Sequence, residues 1–179
     1  MKKLIVGAVL LGSVALAQGA QPATPAQPPT QPPAKPPLVK VTLTQDQIKT
    51  ATVNGKAVDT VIPSPKSVLP NDILREEVTA VNVSGKVVKS PTISVPVPKG
   101  TTFSGSATPG NDRWSTQYSI DGGKTYAVSP LKTATVTENG QSVTKQVAAP
   151  PAEYTNVRWV IDSLKADETL KLSFLVKVN

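Results

Sequence analysis

The 179 residues of this chain include no histidine and no cysteine, so several large enzyme classes fall away while carboxylate-only chemistry survives. The missing cysteine removes thiolate nucleophiles, disulfides and Cys-ligated metals. The missing histidine removes the commonest general base and the commonest metal ligand. Hydrolysis by paired acidic groups would draw on Glu76, Glu77, Asp112, Asp121 or Glu153, set at a fixed separation across a scissile bond. No spacing singles out two of them, and adjacent Glu76 and Glu77 would point to opposite faces of a strand. Asn111-Asp112 and Asp121 lack the D-x-D-x-D spacing of a calcium loop. We therefore expect no catalysis, no cofactor and no metal, with these acids serving as turn residues.

The stretch with the strongest local signature is Tyr118-Ser119-Ile120-Asp121-Gly122-Gly123-Lys124-Thr125-Tyr126. Two short β-type runs meet there, and the glycines supply the positive φ that a tight hairpin turn requires. From Ser119 onward it resembles the Asp-box pattern, S-x-D-x-G-x-T-aromatic, of sialidases and related propellers. In those proteins the motif is a hairpin turn remote from catalysis. A propeller needs several copies, and this chain has one, so a glycosidase is not expected. The candidate binding surface is Asp121, Gly122 and Gly123 together with the Thr108–Arg113 loop, which supplies Asp112 and Arg113.

The elements that must position these residues follow from composition. Residues 1–17 read as a signal peptide. Lys2 and Lys3 form the basic start, Leu4–Leu16 is an apolar run too short to span a bilayer comfortably, and Ala15-Leu16-Ala17 is the cleavage site. No transmembrane span is expected after cleavage, which lowers the net charge from +7 to +5. Residues 18–37 are Pro-rich. Proline fixes φ and removes the amide donor, so polyproline II at ~3.1 Å per residue is expected, reaching on the order of 50 Å. Both a semi-rigid spacer and a tail left after cleavage fit this composition.

From Leu38 to Asn179 the composition is that of strands. The seven aromatics (two Trp, three Tyr, two Phe) leave a core built mostly from Val, Leu, Ile and Ala. Leu38–Leu43 reads as a first strand. Asn54-Gly55 joins Ala51–Val53 to Lys56–Val58, and Asn139-Gly140 joins Thr133–Thr137 to Ser142–Val147, both as two-residue hairpins. Residues 38–65 form either an extra hairpin of the sandwich or a separate docking arm. Asp72–Val83 is a strand whose alternation fails around Arg75-Glu76-Glu77, which predicts a bulge or an exposed edge. Asn82-Val83-Ser84 is a formal glycosylation sequon, without consequence behind a bacterial-type leader. Pro96 places the Thr92–Val97 strand at an edge or ends its pairing. The clearest strands are Val157–Ile161 and Leu170–Val178. In them Val157, Trp159 and Ile161, and Leu170, Leu172, Phe174, Val176 and Val178, share one face. Burying the latter five contributes ~7–15 kcal/mol before entropy is subtracted. About eight to ten short strands in this length give the spacing of an antiparallel β-sandwich.

Val81-Asn82-Val83-Ser84-Gly85, followed by Ile93–Phe103 with its proline-x-glycine-threonine before an aromatic, resembles the conserved-repeat domain called DUF-eleven. Tyr118–Tyr126, Val157-Arg158-Trp159 and the Leu170–Val178 strand are also similar, so the resemblance covers about residues 70–178. It implies an immunoglobulin-like sandwich in a secreted or surface protein of bacteria, and it brings no catalytic residues. The expected function is a structural or interaction module of the cell envelope, in the periplasm or on the surface. Its partners are envelope proteins, within a larger surface complex, and not nucleic acid. The alternative is a periplasmic or secreted binder of anionic polymers or glycans, using the dispersed lysines.

Overall fold

The computed structural model describes residues 38–138 and 140–179, with only the backbone of Glu138. The signal peptide expected at residues 1–17, the Pro-rich segment and Asn139 of the second Asn-Gly turn lie outside the described residues. Within them the fold is all-β, and the paired strands are antiparallel. One sheet contains β1 (Val39–Val53), β2 (Lys56–Pro63), β3 (Ile73–Asn82), β6 (Thr101–Ala107) and β12 (Thr169–Val178), in the order β2-β1-β3-β12-β6. The second contains β5 (Thr92–Pro96), β7 (Trp114–Ser119) and β10 (Asn156–Ile161), in the order β5-β10-β7. β4 (Val88–Lys89) pairs with β11 (Ser163–Leu164), and β8 (Leu131–Glu138) pairs only with β9 (Gln141–Ala148).

The core lies between the two larger sheets, giving a sandwich-like body. Alternate residues of a strand point to one face, so β12 contributes Leu170, Leu172, Phe174 and Val176, and β10 contributes Val157, Trp159 and Ile161. Leu74, Val78 and Ala80 of β3, Ile93 and Val95 of β5 and Leu164 of β11 complete the aliphatic part. Through it runs a chain of aromatic contacts. Tyr118 stacks on Tyr154 at 4.6 Å, both lie 5.5 Å from Phe103, and Phe174 lies 6.2 Å from Phe103 and 6.3 Å from Trp159. The indole of Trp159, fully buried, donates to Thr108 O at 3.1 Å.

Two expectations are corrected. The strand holding Arg75-Glu76-Glu77 has neither a bulge nor an exposed edge. β3 runs in unbroken register between β1 and β12. Its alternation is intact, with Glu76 occupying an inward position and Glu77 facing out to Lys171 at 2.9 Å. The first strand does not stop near Leu43 but continues for 15 residues to the Asn54-Gly55 turn. Its polar stretch Gln45-Asp46-Gln47 is paired on both sides, and Gln47 is buried. Pro96 behaves as expected, ending β5 at the edge of its sheet.

Residues 39–63 form a hairpin whose first strand joins the five-stranded sheet over part of its length. Positions 39–48 of β1 are sheet strand against β3, while 49–53 pair with β2 alone. The hairpin tip is therefore an arm beyond the start of β3. β8 and β9 form a second arm, exposed along most of its length. The five-stranded sheet is also wider than the one facing it, which leaves the inward positions Val41 and Leu43 of β1 52% and 51% exposed.

Candidate functional site

Ser119–Tyr126 does not form the tight hairpin expected from its glycines. β7 ends at Ser119, no strand follows directly, and the chain returns only through a single bridge between Tyr118 and Ala127. What shapes the loop is Asp121. Its Oδ1 accepts from the Lys124 and Thr125 N–H groups at 3.0 and 2.9 Å and from Ser119 Oγ at 2.7 Å. Its Oδ2 accepts from Thr125 Oγ1 at 2.6 Å. These donors hold the carboxyl well below the usual range, Thr125 first among them. Ser119 Oγ in turn accepts from the Asp121 and Gly123 N–H groups. The Gly122 N–H donates to Thr155 Oγ1, which ties the loop to the segment before β10. Gly123 sits at φ +86, where a Cβ would lie 2.9 Å from Tyr126 Oη.

The loop ends by laying Tyr126 over the outer face of the three-stranded sheet. One row across that sheet is Ser94, Arg158 and Gln117. The Arg158 guanidinium lies 3.8 Å from the Tyr126 ring centroid and also donates to Gln117 Oε1, while Tyr126 Oη bonds Ser94 Oγ. Beside this patch a cavity of about 320 Å³ is lined by residues that include Tyr118, Asp121, Tyr126, Pro130 and Leu131, at the root of the β8–β9 arm.

Asp112 and Arg113 lie at the other end of β7. The six residues of that strand, at ~3.3 Å each, separate them from Asp121, Gly122 and Gly123 by on the order of 20 Å. The structure thus divides the expected surface in two. Arg113 pairs with Glu168 at 2.6 Å. The Lys165 N–H and this guanidinium lower the Glu168 carboxyl pKa.

The remaining candidate acids are engaged locally. Glu76 is 2% exposed and accepts from Gln45 Nε2 at 2.6 Å, and burial pushes its pKa up. Glu77 pairs with Lys171, and Glu153 with Lys132. The sequon asparagine is not at the surface. Asn82 is fully buried, and its Nδ2 donates to the carbonyls of Lys86, Leu164 and Lys165 at 2.6, 2.9 and 2.7 Å. Its Oδ1 accepts from the Ser84 N–H and Oγ. One side chain thus joins the end of β3 to the following turn and to β11.

Sequence reasoning missed a feature shared by the two arms. Lys49-Thr50-Ala51-Thr52-Val53, in β1, recurs as Lys132-Thr133-Ala134-Thr135-Val136, in β8. Each copy forms the first strand of an Asn-Gly hairpin. A comparison of the sequence with itself would have found it. No helix among the described residues is long and apolar enough to cross a membrane. No protein-family model, no curated protein and no solved structure matches this chain.

Proposed function

We propose that this chain is a non-catalytic structural or protein-interaction module of the bacterial cell envelope, exported by its N-terminal leader and built on an immunoglobulin-like sandwich. The observation that carries this reading is the pair of β-hairpin arms, 49–60 and 131–148. They add little to the core, yet they hold open strand edges out from it. An isolated two-stranded hairpin is marginal in water and gains stability when another strand or surface covers it. Unpaired edge groups are what β-strand addition uses for recognition. The resemblance to bacterial surface repeats and the Pro-rich segment ahead of the domain support the same reading. The test is gentle envelope fractionation of the native bacterium, followed by cross-linking and mass spectrometry. Cross-links from either arm to a defined envelope protein support the module. Recovery as a free chain in the periplasm or medium, with no such cross-links, overturns it.

A second reading, binding of anionic polymers, is favoured by one observation. Lys86 and Lys89 line a cavity of about 540 Å³ with Leu38, Val87 and Val88. Such binding would weaken steeply with added salt, and salt-independent retention on a polyanion column would count against it.

A further inference from the structure

We propose that β8 joins a second copy of this chain, edge to edge and antiparallel, about a two-fold axis through Ala134. Envelope docking does not require this contact, so it goes beyond the function proposed above.

The first argument is that β8, although preceded by Pro130 and carrying Lys132 near its start, has an open edge whose middle, 133–137, holds no blocker. Proteins protect strand edges with lysine, proline, bulges or short strands. Among the described residues, β5 is flanked by Pro91 and carries Pro96, and β6 holds Gly105 at φ +88 and shifts register against β12. Asp59 and Pro63 lie on β2, and Lys145 lies mid-strand on β9. β7 is bridged at Tyr118 by Ala127. The free part of β1 is only 49–53, and it runs up against the start of β3. In β8, by contrast, Thr133-Ala134-Thr135-Val136-Thr137 is uncharged, and three of its five residues are threonine.

The second argument is which backbone groups face outward. Antiparallel residues alternate between bonding their partner and turning away from it. The Ala149 N–H donates to Pro130 O, so the even positions of β8 bond β9. Leu131, Thr133, Thr135 and Thr137 turn their N–H and C=O to the open edge. Pairing two β8 edges with Ala134 opposite Ala134 sets Thr133 opposite Thr135 and Leu131 opposite Thr137, in both directions. Each of those pairs brings outward-facing groups together, so the ladder closes over 131–137. The threonine pairs are favourable cross-strand neighbours. A contact in which the same patch serves both subunits is the usual form of a closed dimer. The result is one four-stranded sheet, β9-β8-β8-β9.

The chain has no cysteine, which makes single-cysteine variants clean reporters. Ala134 would face its symmetry mate as a non-hydrogen-bonded pair, with Cα atoms ~4.5 Å apart, within disulfide reach. We expect full-length Ala134→Cys to form a disulfide-linked dimer under mild oxidation and Val136→Cys not to. Mixed Lys132→Cys and Val136→Cys chains should cross-link to each other. By sedimentation the full chain should dimerise, and Thr135→Pro should be monomeric with unchanged far-UV circular dichroism, because that N–H faces away from β9. A chain monomeric at every soluble concentration, Ala134→Cys linking no faster than Val136→Cys, or Thr135→Pro dimerising as before would each overturn the proposal. Failure here leaves arm-to-envelope cross-links untouched, so the two proposals fail separately.

Discussion

Replacing Asn82 with aspartate tests how the end of β3 is held. The substitution keeps the shape and the Oδ1 acceptor that serves Ser84. It exchanges an amide donor for an oxygen facing three carbonyls, those of Lys86, Leu164 and Lys165, at 2.6–2.9 Å. Two amide hydrogens serve those carbonyls, and losing their bonds costs about 2 kcal/mol. A carboxylate stranded in a fully buried site raises the total to about 3–5 kcal/mol at pH 7. Asn82→Ala, which leaves the carbonyls unpaired without adding charge, should cost less, about 2–3 kcal/mol. The two variants also separate by pH. Burial and the facing carbonyls disfavour ionised aspartate, so its folded pKa lies above the unfolded value of ~3.9. The charge penalty is then absent below that unfolded value and grows as pH rises towards the folded one. Urea unfolding followed by tryptophan fluorescence, with Trp159 as the buried reporter, should show the aspartate variant recovering relative to wild type between pH 7 and pH 4. The alanine variant should not recover. Equal losses for both variants at both pH values would refute the reasoning.

Glu76→Gln keeps the bond from Gln45 and removes the titration. Because burial raises the wild-type carboxyl, wild-type stability is fully present below the unfolded pKa and is lost as pH rises through the raised one. Denaturation series should therefore show the variant gaining on wild type from acid to neutral pH. Gly123→Ala forces an L side chain into the left-handed region and against Tyr126 Oη, and thermal unfolding should register a loss of about 1–2 kcal/mol. Asp121→Ala frees the Lys124 and Thr125 amides, and hydrogen exchange should accelerate at those two sites while core amides stay protected. Replacing 132–147 with a short linker should barely move the midpoint of unfolding, since no core-cluster residue lies there.

Much of the body was legible in the sequence, and the reason is local. Period-two alternation in Val157–Ile161 and Leu170–Val178 identifies strands and their buried faces without reference to any other element, and the structure places those residues in the core. The two Asn-Gly pairs likewise announce hairpins, because a two-residue turn carries its own backbone requirement. The same local reading failed at Arg75-Glu76-Glu77. An inward glutamate looks like a broken pattern until Gln45, 31 residues away, is seen to donate to it. It failed again at Ser119–Tyr126, where glycines suggested a tight turn but a network centred on Asp121 shapes a wider loop.

Sequence alone determined that this is a strand-forming chain without thiol or imidazole chemistry, carrying a leader-like start, a Pro-rich stretch and two Asn-Gly hairpins. Only the tertiary structure decided that β3 is central, that Asn82 and Glu76 are interior, that Asp112 and Asp121 lie at opposite ends of β7, and that residues 49–53 and the β8–β9 strands contribute nothing to the core cluster. The division has a physical cause. Alternation and turn preference act between residues a few positions apart, whereas which strand lies beside which, and which edges stay open, depends on the free energy of contacts between residues far apart in the chain.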